Sequence, residues 1–341
     1  MGPTARHVTD AGPAASTRPA YTAGMPASPH APILTVTPNP ALDVSTGVDH
    51  VVAEHKMRCG PTRLDPGGGG VNVARVVRNL GGSALAVYTA GGPTGQAYRE
   101  LLEREGIAGR VVRIAGSTRE SFTVDEMSTG RQFRFVLQGP HLAEPEWRAL
   151  LSAVADDLPF GGYLVPSGSL PPGVPVDFYA RLARLARDND ARCVVDASGE
   201  ALRAALDEGV FLVKPSRREL GELVGGAVDD EVELIGAARE LVGRGACRMV
   251  ALTLGGAGAV LVDAERALRL PTPPVQVRSA VGAGDSFLGA FVLRLAQGRT
   301  PAEAFRTAVA AGSATAALEA TELCGADAVA ALERGLEPVP A

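Results

Sequence analysis

From residue 33 onward the chain alternates between two hydrophobic patterns. Short runs centred on adjacent apolar residues read as strands: ILTVT (33–37), a buried one, then ALAVYTA, RVVRI, GGYLVPSG, RCVVDAS and FLVKPS. CRMVALTLG, GAVLVD and RALRLP continue the series. Between them lie stretches whose apolar residues recur every three or four positions. In VNVARVVRNLGG, Val73, Val76, Val77 and Leu80 share one helical face and Gly81 follows as a stop. TGQAYRELLEREG, with Thr94 as its cap, VPVDFYARLARLARDN and DEVELIGAARELVGRG are further helices, and FLVKPS leads into RRELGELVG. FLGAFVLRLAQG and PAEAFRTAVAAGSATAALEA close the chain as two long ones. Strand followed by helix, repeated, predicts an α/β fold: a mostly parallel central sheet with helices on both faces. Two segments, 44–63 and 120–137, do not fit the alternation. SFTVDEM and RQFRFVL, separated by STG, alternate like a hairpin. These two segments are expected to form a small β-sheet lid outside the main sheet.

Composition adds boundaries. Residues 1–32 are rich in Ala, Pro, Gly, Ser and Thr without periodicity, which predicts a disordered extension ahead of one domain over 33–341. The extension lacks the apolar core of a secretory signal, and no later run reaches the roughly 18 apolar residues of a membrane span. A net charge of -5, with no arginine-rich tail, argues against nucleic acid as a partner. Cys59, Cys193, Cys247 and Cys324 are far apart and have no histidine nearby, so buried, reduced thiols in a cytoplasmic protein are expected rather than a zinc site. His7 and His30 fall in or near the extension, and the other histidines show no metal-ligand spacing.

Several strand ends carry chemistry. PGGGGVNVAR (66–75) sets four glycines before a helix, a run that lets a ligand approach backbone N–H groups. A dinucleotide fingerprint would follow the first strand at once and be trailed by an acid, and neither holds here. Asn72 is placed to turn its amide to a ligand, or simply to start a helix. Asp43, in TPNPALD beyond the first strand, suits sugar hydroxyls, because α/β sheets bind ligands at the carboxyl ends of their strands. PSGSLPPG, FLVKPSRRE and TLGGAG end three further strands, so a single crevice is expected to gather all four. In VRSAVGAGDSFLGAF (277–291), Gly282, Ala283 and Gly284 precede Asp285 at the opening of a helix. Small residues there leave backbone N–H groups open as an anion hole for a transferred phosphoryl group. A carboxylate beside that hole can take the proton of an attacking hydroxyl, which assigns Asp285 as general base. Of 33 basic residues only Lys56 and Lys214 are lysines, which marks them as candidates for a compact point charge on phosphate.

PGGGGVNVAR and VGAGDS resemble the two signature regions of the PfkB/ribokinase family of sugar kinases, and the resemblance runs from residue 33 to the last helix. LGGSA, AGGPTG, FRFVLQG, SGSLPPGV, RCVVDASGEAL and LVKP make the chain similar to the family's bacterial 6-phosphofructokinase branch. The 1-phosphofructokinase and tagatose-6-phosphate kinase branches usually carry a lysine in the glycine run, where this chain has GGGG. The resemblance implies a ribokinase-like fold, a homodimer joined through the lid, and ATP and Mg²⁺ as cofactors. The acceptor it implies is the 1-hydroxyl of a sugar phosphate, fructose 6-phosphate.

It further implies that Asp43, Gly68, Gly69 and Asn72 hold sugar hydroxyls, while Arg119 and Ser169 meet the sugar's phosphate. Lys56, Lys214, Thr253, Gly255, Gly258 and Ser313 would serve the nucleotide. Glu219 would organise Mg²⁺-bound water, and the loop at Ser279 and Val281 matches a monovalent-cation site for K⁺. The family's usual Asn three residues before that glutamate is Ser216 here. A non-catalytic sensor on the same fold would be expected to lose Asp285 or the anion hole, and this chain keeps both.

Overall fold

The computed structural model describes residues 30–226, 228 and 230–341. Fourteen strands and ten helices are set out among them. In chain order the strands are β1 (Ile33–Thr37), β2 (Ala41–Val48), β3 (Arg63–Gly67), β4 (Leu85–Ala90), β5 (Ala108–Arg113), β6 (Arg119–Glu126) and β7 (Arg131–Val136). They continue with β8 (Tyr163–Pro166), β9 (Arg192–Val195), β10 (Val210–Val213), β11 (Cys247–Thr253), β12 (Ala259–Val262), β13 (Ala267–Leu270) and β14 (Val339–Pro340). The helices are α1 (Gly69–Asn79), α2 (Gly92–Arg104), α3 (Glu144–Asp157), α4 (Phe178–Asp188), α5 (Gly199–Glu208), α6 (Arg217–Val224), α7 (Glu231–Gly243), α8 (Ala283–Ala296), α9 (Pro301–Ala316) and α10 (Ala326–Glu333).

Ten strands form one sheet in the order β14-β13-β12-β11-β10-β9-β8-β1-β4-β5. From β11 to β5 every neighbouring pair is parallel, and β12 to β14 add an antiparallel edge. β1 is buried along its whole length, the two threonines Thr35 and Thr37 included, as a strand covered on both faces must be. Its side chains alternate between the two faces of the sheet: Leu34 and Val36 join one core with α3, α4, α5 and α7, and Ile33 joins the other with α1, α8 and α9. The doubly covered α/β sheet is therefore the one expected.

The lid is also present. β3, β2, β6 and β7 make a separate four-stranded sheet in that order, with β6 and β7 paired as the expected hairpin. On the outer side Leu64, Met127 and Phe135 are exposed.

Some local readings are corrected. The second helix begins at Gly92, capped at Gly91, so Thr94 lies inside its first turn. α3, α5 and α10 were not anticipated as separate helices. Most of the expected extension, residues 1–29 and His7 with it, lies outside the described residues. His30 is packed into the body: its Nε2 accepts a hydrogen bond from the Ser83 N–H at 3.0 Å, and the Ala31 N–H donates to the Ala296 carbonyl at 3.0 Å. Cys193, Cys247 and Cys324 are buried free thiols, whereas Cys59 is free and exposed. Among the described residues no helix is long and apolar enough to cross a membrane.

Candidate active site

The carboxyl ends of β1, β8, β9 and β10 open into one cavity of about 320 Å³, roofed by the lid strands. Asp43, Gly68, Gly69, Asn72, Arg119, Ser169, Glu219, Val281, Gly282 and Asp285 all line it. Ten residues chosen from distant parts of the sequence thus meet at one place.

The floor is the start of α8. Gly282 caps that helix at φ 74°, a left-handed conformation in which glycine avoids the Cβ clash of other residues. Any Cβ there would also meet the Leu323 side chain at 2.7 Å. Gly284 is small for a different reason: a Cβ would come within 3.2 Å of Lys214 Nζ. The positive helix end, its free N–H groups and this lysine together fit a phosphate anion.

Asp285 stands in the first turn of α8 and accepts a hydrogen bond from Asn72 Nδ2 at 2.8 Å. Burial pushes its carboxyl up, while the Asn72 hydrogen bond and the Lys214 charge oppose that rise. Asn72 has its own anchor, since Arg75 Nη1 donates to its Oδ1 at 3.2 Å. α1, which carries both, is entered through Gly68 at φ 118°, where a Cβ would strike Thr37 at 2.7 Å.

Lys214 follows β10 with its side chain 7% exposed and pairs with Asp196 Oδ1 at 3.2 Å. Burial pulls the lysine's pKa down, but the carboxylates of Asp196, Asp285 and Glu219 outweigh it and the net shift is upward. Asp196 is pushed up to about 6, mainly by burial and against the pull of Lys214. Asp43 lies inside β2, paired with Asp65 and Ser121, and not in the turn after β1. Burial pushes its carboxyl up to about 7, despite Arg119 and Arg134 nearby. Arg119 donates to the carbonyls of Leu137 (3.0 Å) and Asn39 (3.1 Å), and its buried Nε has no protein partner. That orphaned donor fits an anionic ligand.

Other expected residues stand apart from the cavity. Ser216 is the N-cap of α6: its N–H and Oγ donate to Glu219 Oε2 at 2.8 and 2.9 Å. The serine thus holds one oxygen of the glutamate in a capping box. Thr253 packs against this corner, bridged to Ser216. Gly255 and Gly258 form the turn between β11 and β12, outside the cavity lining. Ser313 donates to its own helix at the Val309 carbonyl, 2.8 Å away. Ser279 accepts from the Val281 N–H within its loop. Lys56 sits in the exposed loop 49–62 and is not among the residues lining the cavity.

Asp196, Arg134 and Thr321 also line the cavity and were not singled out from the sequence. The signal for Asp196 was present: an acid immediately after a buried strand. For Arg134 it was the β7 alternation, which puts it on the face shared with Val136. Thr321 lies in a loop with no pattern to betray it. Among the described residues no three carboxylate, histidine or cysteine groups are clustered to hold a metal ion. Glu219 and Asp196 are two carboxylates in a cavity fit for phosphate, a set that suits Mg²⁺, which keeps most of its waters and takes few protein ligands.

The family description "pfkB family carbohydrate kinase" matches residues 41–327. The chain is 43% identical over 297 residues to an ATP-dependent 6-phosphofructokinase isozyme 2 of Mycobacterium tuberculosis, covering 87% of each chain. It is 42% identical to the protein of that name from Escherichia coli, covering 86% of this chain and 96% of the relative. A crystal structure of phosphofructokinase-2 from Escherichia coli in complex with potassium superposes with a TM-score of 0.86 at 40% identity, over 89% of this chain and 98% of the other.

Proposed function

The chain belongs to the pfkB family of carbohydrate kinases, and on that premise we propose that it phosphorylates fructose 6-phosphate at the 1-hydroxyl, with ATP as donor, to give fructose 1,6-bisphosphate. The observation that carries this reading is Asp285, seated in the first turn of α8 beside Lys214 and facing a cavity lined by Arg119 and Arg134. A base, an anion hole and a second cationic wall are what transfer of phosphate to an already phosphorylated sugar requires.

Arg119 and Ser169, with Arg134, hold the sugar's phosphate, and Asp43 accepts from its hydroxyls. Asp285 takes the proton of the 1-hydroxyl as that oxygen attacks the γ-phosphorus of ATP, and the bond from phosphorus to the ADP oxygen breaks. The N–H groups at Gly282, Ala283 and Gly284 and the Lys214 ammonium offset charge on the transferred group. Glu219 would hold Mg²⁺ through water, and the ion would supply further charge neutralisation on the phosphates. Thr253, Gly255, Gly258 and Ser313 lie toward the nucleotide, and Ser216 takes the place of the usual amide by fixing the Glu219 carboxylate. The loop at Ser279 and Val281 would take K⁺, in keeping with the potassium in the Escherichia coli structure.

The exposed apolar outer face of the lid supports a homodimer joined there, with Lys56 on the adjoining loop free to reach phosphate across the junction. Unpaired, mostly buried thiols support a cytoplasmic location. The test is ADP release with fructose 6-phosphate, tagatose 6-phosphate and fructose 1-phosphate offered in turn. The highest kcat/KM is expected for fructose 6-phosphate. A preference for either competitor overturns the acceptor, and no ADP with any of them overturns the kinase.

A further inference from the structure

Arg75 lies in the second turn of α1 and is 6% exposed, with no direct place in the cavity lining. Four of its five N–H groups are hydrogen-bonded, and Nη2 also lies 3.9 Å from Asp65 Oδ1. Nε and Nη2 grip Glu105 at 2.6 and 2.7 Å, while Nη1 donates to the Pro66 carbonyl at 3.1 Å and to Asn72 Oδ1 at 3.2 Å. On its other side the same Asn72 amide donates through Nδ2 to Asp285 Oδ2 at 2.8 Å. The two ends of an asparagine amide have nearly the same shape, so packing alone does not choose between them. Chemistry does: a guanidinium has donors and no acceptor, so the atom facing it must be the amide oxygen.

We propose that Arg75 is a positioning residue for phosphoryl transfer, acting through Asn72. By holding Oδ1, it turns the NH₂ group toward Asp285, occupies Oδ2 of that carboxylate and leaves Oδ1 for the proton of the acceptor hydroxyl. The reversed amide would set its oxygen against a carboxylate, which only a protonated, non-basic Asp285 tolerates. Glu105 holds Arg75 in place, giving a relay Glu105–Arg75–Asn72–Asp285. Asp285 is also faced by Lys214 after β10, Arg134 on β7 and Asp196 after β9, and Glu219 of α6 lines the same cavity. None of these groups touches the Asn72 amide, so the choice of its orientation falls to Arg75. The inference rests on the reading of Asp285 as the base.

The experiment compares Arg75→Lys, which keeps a donor-only group, with Arg75→Gln, which offers both a donor and an acceptor. Each is made alone and with Glu105→Gln, so that for each substitution one version folds without an unpaired Glu105 carboxylate. Kinetics use whichever of the three sugar phosphates the wild type accepts. In parallel, the Asn72 side-chain amide is followed by ¹⁵N NMR, assigned with Asn72→Leu. Arg75→Lys is expected to hold kcat within about three-fold of wild type. Arg75→Gln should lower it by about ten- to a hundred-fold with little change in either KM. In the wild type and Arg75→Lys the Asn72 amide signal should respond to Asp285→Asn, and in Arg75→Gln that response should vanish. Parallel losses in the Lys and Gln variants that track their melting temperatures would overturn the relay, as would an Asn72 signal indifferent to Arg75→Gln. If the wild type accepts none of the sugars, the kinase reading fails, and the NMR comparison still decides whether Arg75 sets the amide.

Discussion

Asp43 should cost the protein stability in return for a place in the cavity, and Asp43→Asn should expose that cost. Burial on the cavity side of the lid sheet pushes its carboxyl from 3.8 up to about 7. The folded chain therefore binds a proton that the unfolded chain has released, across the window between those two values. Stability must fall as pH rises through that window, and the deficit is complete above it. One pKa unit corresponds to about 1.4 kcal/mol, so a rise of about three units gives about 4 kcal/mol at pH 8. Water at the cavity mouth reduces this, and about 2–4 kcal/mol is the expected range. Asparagine has nearly the shape of the neutral acid, so Asp43→Asn should be close to neutral at pH 4 and stabilising by that amount at pH 8. Urea unfolding of both proteins across this range measures it, with a midpoint gain of roughly 1 M expected at pH 8. The variant should also lose about ten- to a hundred-fold in kcat/KM for the sugar, because a charged acceptor for its hydroxyls is gone. A stability difference that is the same at pH 4 and pH 8, or one that favours the wild type at pH 8, would refute the assignment of a buried, functionally retained carboxylate.

Three further outcomes are expected. Asp285→Asn keeps shape but cannot accept a proton, so kcat should drop by about 10²–10⁴ in the coupled ADP assay with little change in substrate affinity; near-normal turnover would remove it from the role of base. Arg119→Ala should raise KM for the sugar phosphate far more than for ATP, and equal effects on the two would mean that it does not face the sugar's phosphate. Lys214→Arg should damage kcat/KM for ATP clearly, because a longer planar group cannot fit where Gly284 and Asp196 already crowd the ammonium. Lys56→Arg, on an exposed loop, should do less, and if both behave like surface Arg→Lys controls the rarity of lysine carries no meaning.

Local pattern determined much of this protein. Runs such as ILTVT put aliphatic residues on both faces of a strand, Ile33 on one and Leu34 and Val36 on the other, so the doubly covered sheet and its flanking helices follow from the sequence. The small residues before Asp285 likewise declared an opening at a helix start, since backbone conformation and steric room are properties of the residues themselves. The lid hairpin was legible from its alternation. Tertiary structure decided what depends on meeting across the sheet. Asp196 became the partner of Lys214 only because β9 and β10 lie side by side, and Arg134 reached the cavity only through the register of β7 on β6. The same holds for Asn72 and Asp285, 213 residues apart in the chain and hydrogen-bonded at 2.8 Å. A sequence fixes what each residue can donate, accept or bury, but distances of that kind arise only when the layers close on one another.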